Sequence, residues 1–147
     1  MVFDFAEADK QAGRLALHGR IHESLMSRLD IERLCSDSSV SSSNRARNLS
    51  LAASLAHKIG DLSTAELLTR KCVAVYGAIR DIRCATYRMS LACILAEQRQ
   101  FDEAISHAEA AILLFESLEK VDSSFVAYRK RDLERMREHV EGSYLDG

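Results

Sequence analysis

His18 and His22 stand four residues apart with Glu23 beside them, and imidazoles at i, i+4 on one helix face are a spacing that can hold zinc. Gly19 falls between them at an expected turn, which splits that face, and no second ligand cluster follows at a diagnostic distance. The pair therefore reads as surface histidines, and no metal is expected. Cys35, Cys72, Cys84 and Cys93 contain no C-x-x-C pair. Three of them lie among apolar helical residues, where a free thiol packs as a small hydrophobe. Thiols used in this way point to a reducing, cytoplasmic setting. A nucleophilic thiolate needs a base in contact, and Cys93 with His57 is the one pair carried forward, since both are expected on the same concave surface. No G-x-S-x-G, Walker or dinucleotide motif occurs. The expectation is a non-enzyme with no cofactor.

The elements that would position these residues follow from a repeat. Ser24, Ala65 and Ala104 recur at spacings of 41 and 39 residues. Each sits three residues after an apolar turn residue, in GRIHES, GDLSTA and RQFDEA, and each has an alanine twelve residues upstream, Ala12, Ala53 and Ala92. The unit reads as helix, tight turn, helix, and antiparallel helices approach closely only where the crossing residues are small. The 147 residues hold no proline and 6 glycines, with 47% hydrophobic residues, so little forbids helix and little favours strand. An all-α chain is expected, and one domain is the default at this length. With 20 basic and 22 acidic residues the net charge is −2, which gives no electrostatic case for nucleic acid or an anionic membrane. No apolar run approaches the ~20 residues that span a bilayer. The first residues carry Asp4, Glu7 and Asp9 where a signal peptide is basic, so a soluble protein is expected.

Three units are expected over about 4–35, 45–79 and 84–119, within a single domain over 1–147. Leu15 and Leu17, then Ile21, Leu25 and Leu29, supply the apolar positions of the first. The Ser-rich stretch 36–44 has no apolar face and reads as an exposed loop, open to phosphorylation. In the second unit Gly60 permits positive φ at the turn and Asp61 or Ser63 can cap the next helix, from which Leu67, Leu68, Cys72, Val73 and Val75 face back. In the third, Arg99 stands where the glycine would be, so the turn closes either without positive φ or with some strain, and Asp102 is the expected N-cap. A last amphipathic helix over about 122–141, capped by Asp122 or Ser123, carries Phe125, Tyr128, Leu133, Met136 and Val140 inward and covers the final unit. Its Arg129, Lys130 and Arg131 interleave with acids, as on an ordinary solvated face.

The stretches LAASLAHKIGDLSTAELLTRKCVAVY (51–76) and LACILAEQRQFDEAISHAEAA (91–111) resemble the tetratricopeptide (TPR) repeat family in their order of small, apolar, turn and alanine positions. The spacing near 40 is similar to the kinesin-light-chain style of repeat. The resemblance is strongest over 45–119 and weak over 4–34, and the family's early aromatic and closing proline are missing. It implies a right-handed helical-hairpin solenoid of about three units plus a capping helix, with a concave groove lined by the first helix of each unit. That groove would present Asp9 and Gly13, then Arg47, Ser50, Ser54, His57 and Lys58, then Met89, Cys93 and Glu97. The carboxylate clamp of the family's chaperone-tail binders is not expected, because Asp9, Gly13 and Ser54 stand where it needs lysine and asparagine. The implied function is a non-catalytic adaptor or scaffold that holds a peptide or helix of a protein partner, with Arg47, His57 and Lys58 able to attract an acidic segment. The alternative is a regulatory sensor or secretion-chaperone-like module. The apolar flank of the first unit leaves room for a homo-oligomer or a larger assembly.

Overall fold

The computed structural model describes residues 3–36, 39–76, 81–118 and 121–145, without the side chains of residues 36 and 141–145. The described residues form seven α-helices and no strand. They fall into two compact units, residues 1–76 and 77–147.

The first unit holds α1 (Phe5–Leu17), α2 (Ile21–Ser36), α3 (Ser42–Lys58) and α4 (Leu62–Tyr76). Neighbours in sequence pack as hairpins, α1 on α2 and α3 on α4, with α2 also against α3. The small residues of the repeat sit where the helices cross. Ala12, Ser24 and Ala65 are fully buried and Ala53 nearly so. Ser24 is tolerated there because its hydroxyl donates to the Ala12 carbonyl at 2.7 Å, which satisfies a buried polar group across the α1/α2 contact. A satellite core joins Ala12, Ile31 and Cys35 to Phe3, Phe5, Ala8 and Val40.

The second unit holds α5 (Ile82–Glu97), α6 (Phe101–Ser117) and α7 (Ser123–Leu145). The pair α5/α6 repeats the hairpin, with Ala92 and Ala104 fully buried at the crossing. Helix α7 covers α6, where Phe125 meets Phe115 edge-on at 5.0 Å between centroids.

All three tight turns close in the same way. The N–H after each turn residue reaches back to the carbonyl two residues before the helix end, Arg20 to Leu15, Asp61 to Ala56 and Gln100 to Leu95, at 2.9, 3.0 and 2.9 Å. The turn residue itself bonds the next carbonyl, a paired arrangement that requires a left-handed backbone at that residue. Gly60 takes φ 81° and Arg99 takes φ 63°. The third turn is thus built like the others despite its side chain, and the strained alternative is the one adopted.

Several sequence expectations shift. The loop over 36–44 is shorter, because Ser41 caps α3 by accepting the Asn44 N–H at 3.2 Å and draws Ser42, Ser43 and Asn44 into the helix. Residues 37 and 38 of that loop, and the expected unit ends at 79 and 119, lie outside the described residues. Asp61 and Asp122 are the caps of α4 and α7. Asp102 is not a cap: α6 starts at Phe101, its boundary residue Gln100 makes no side-chain cap bond, and Asp102 sits in the first turn. Leu17, Leu67 and Tyr128 point outward at 87%, 56% and 55% exposure. The inward stripe of α7 keeps the expected Leu133 and Met136 and adds Val126.

Candidate binding grooves

Within the first unit, α1 and α3 flank a groove of about 540 Å³. Its walls are Lys10, Arg14 and Leu17 from α1, and Arg47, Leu51, Ser54 and Lys58 from α3, with Asp9, Gly13 and Arg28 at one end. These residues share a face by helical spacing: 10, 14 and 17 along α1, and 47, 51, 54 and 58 along α3. Lys10, Arg14, Arg47 and Lys58 are exposed. Lys10, Arg14 and Lys58 make no ion pair with another described residue. The surface is therefore cationic, with two leucines set among the charges.

A polar network fixes the end of this groove. The buried Arg28 of α2 donates from Nη1 to Asp9 Oδ1 at 2.8 Å and to Asn48 Oδ1 at 3.1 Å. Asn48, itself fully buried, returns a bond from Nδ2 to the Arg28 carbonyl at 3.0 Å. Arg47 reaches across to Asp9 Oδ2 at 2.5 Å. Burial works to raise the Asp9 carboxyl, but hydrogen bonds from Arg28 and Arg47 outweigh it and hold the group below its ordinary range. One turn further along α2, Glu32 takes Arg45 Nε at 3.0 Å and Nη2 at 2.6 Å. Together these contacts tie α1, α2 and α3 through charges that hydropathy assigns to the surface.

The second unit has a groove of about 410 Å³ between α5 and α7, lined by Cys93, Ala96, Glu97, Arg99, Asp132, Arg135 and Met136. Phe101 and His139 stack across it at 5.0 Å and 7°, and Arg99 lies 5.6 Å over the Phe101 ring. Its charges are mixed. Burial, then the Asp132 carboxylate, pushes the Cys93 thiol up and keeps it protonated, which is the reverse of what a nucleophile needs.

The expected groove residues distribute as follows. Arg47, Ser54 and Lys58 line the first-unit groove, and Cys93 and Glu97 line the second. Ser50 is half-buried and His57 exposed, neither on a groove wall. Met89 is only 2% exposed; it continues the inward stripe of Ala85 and Ala92, so it is core and offers nothing to a ligand. Lys10, Arg14, Leu17 and Leu51 were not expected. His57 and Cys93 belong to different units. His18 is the C-cap of α1 and His22 lies in α2, so they share no helix, and among the described residues no group of three His, Cys, Asp or Glu could hold a metal.

No protein-family model matches this chain, and no curated protein sequence does. Solved structures do. BtubC (BKLC) from P. vanneervenii superposes with a TM-score of 0.75 at 17% identity, over 91% of this chain and 54% of that one. A putative kinesin light chain of Podosopora anserina, with nearly identical TPR-like repeats, superposes at 0.73 and 16% identity, over 89% of this chain and 64% of that one. The fold is TPR-like. It comprises three helical hairpins and a final helix among the described residues, and it spans between 54% and 64% of the length of these similar proteins. No described helix is long and apolar enough to cross a membrane.

Proposed function

We propose that the protein is a non-catalytic interaction module that holds an acidic, partly apolar segment of a protein partner, as an extended peptide or a helix, in the α1/α3 groove of its first unit. The observation that carries this reading is the set of exposed cations Lys10, Arg14 and Lys58 around Leu17 and Leu51. Isolated surface lysines are ordinarily solvated, but a concave row of cations beside the exposed Leu17 and the half-buried Leu51 matches a ligand that alternates carboxylates with apolar side chains. The TPR-like fold supports the same class of role. A cytoplasmic adaptor or scaffold within a larger assembly is a setting that suits four cysteines held outside disulfides.

The test is a fluorescence-anisotropy titration of the full chain with a short labelled peptide built of glutamate and leucine. Wild type is expected to bind, with affinity falling as salt rises. The variant Arg14→Glu/Lys58→Glu is expected to lose binding while keeping its circular dichroism. Equal binding by both proteins contradicts the reading.

A further inference from the structure

Asp9 spends both of its carboxylate oxygens on groove arginines. Oδ1 accepts from Arg28, whose side chain is 5% exposed, and Oδ2 accepts from Arg47, whose side chain is 56% exposed. That is the arrangement an aspartate or glutamate of a ligand would adopt on the same pair of guanidinium groups. Arg28 requires a counter-charge inside the fold, but Arg47 stands on the groove wall, where a ligand can reach it. The groove therefore has a carboxylate position that is already filled from within the chain.

We infer that Asp9 is a built-in occupant of the groove's carboxylate site, which lowers affinity for acidic segments and directs them toward Lys10, Arg14 and Lys58. This rests on the reading of the groove as a site for an acidic partner. A ligand carboxylate gains Arg47 only by displacing the internal one, so the charge-assisted bond it forms replaces one that already existed and adds little. Removing the internal charge leaves Arg47 free for the ligand. Asn at position 9 can still accept a hydrogen bond from Arg28.

The experiment titrates the same glutamate and leucine peptide into the full-length wild type, Asp9→Asn, Asp9→Asn/Arg47→Gln and Asp9→Ala/Arg28→Met. The last variant removes the interior pair together, leaving no unpaired buried charge, and decides the matter if Asp9→Asn fails to fold. Glu7→Gln, an exposed acid on the same helix, controls for net charge. Asp9→Asn is expected to bind about tenfold tighter or more. Asp9→Ala/Arg28→Met should tighten as well, Asp9→Asn/Arg47→Gln should return toward wild type, and Glu7→Gln should change affinity less than about twofold. If wild type binds while the folded Asp9 variants bind no better, or Glu7→Gln gains as much, the inference is overturned and the groove reading stands. If neither wild type nor any variant binds, the groove reading falls and takes the inference with it.

Discussion

The interior charge pair offers a thermodynamic cycle whose size follows from its burial. Asp9 and Arg28 have side chains 17% and 5% exposed and meet at 2.8 Å. Replacing Asp9 by Ala leaves a buried guanidinium with Asn48 Oδ1 as its remaining side-chain acceptor among the bonds described, and breaking a buried pair from one side costs about 3–5 kcal/mol. The exposed Arg47 arm adds little, about 0–1 kcal/mol. Arg28→Met alone should cost about 1–2 kcal/mol, because it leaves Asp9 with its bond to Arg47 and deprives Asn48 of a donor. In Asp9→Ala/Arg28→Met an apolar side chain replaces the pair but the buried Asn48 Oδ1 still loses its donor, so the double variant should cost about 1–2 kcal/mol. The coupling is then at least about 2 kcal/mol, measurable by urea unfolding followed by circular dichroism at neutral pH. The sign of the pH dependence is also fixed. The folded-state carboxyl lies below its ordinary value, so its contribution is complete above about pH 3.9, the unfolded value, and fades as pH falls through the lower folded one. The gap between wild type and Asp9→Ala should therefore close in acid. Additive single-variant costs, or a gap that persists below both values, would refute this reasoning.

Other outcomes follow from the backbone and the crossings. Arg99→Gly should be more stable than Arg99→Ala by about 0.5–1 kcal/mol, since both lose the contact with Phe101 but only glycine relieves the left-handed backbone; equal midpoints in thermal melts would contradict that. Ala104→Leu should cost about 1–3 kcal/mol by overpacking a fully buried crossing, and Ser24→Ala about 1 kcal/mol for the lost bond to the Ala12 carbonyl. Ser41→Ala should cost about 1 kcal/mol and show faster amide exchange in the first turn of α3, with Ser42 to Asn44 fraying back into the loop.

Much of the architecture was legible because it depends on a few steric requirements. Ala12, Ala53, Ala65, Ala92 and Ala104 mark crossings that exclude larger side chains, and Gly60 marks a turn that needs positive φ. At Arg99 the sequence posed the right choice of turn geometry but not its answer, since the left-handed cost of about 1–2 kcal/mol is small beside the packing of the α5/α6 hairpin. The polar network was not legible. Arg28, Glu32 and Asn48 look like surface residues by type, and their burial depends on partners 13 to 20 residues away that only the fold brings close. The register borrowed from the repeat resemblance pointed to Asp9 and Gly13, which do line the groove, but it passed over Lys10, Arg14 and Leu17, which their spacing along α1 could have supplied. Met89 was misplaced for the same reason.

The most direct test maps the binding surface residue by residue, by amide NMR on the full chain titrated with the glutamate and leucine peptide. Binding in the first-unit groove requires shift changes concentrated at Lys10, Arg14, Leu17, Leu51, Ser54 and Lys58. Changes concentrated instead along α5 and α7, or none at saturating peptide, would contradict the proposal that the α1/α3 groove is the site for an acidic partner.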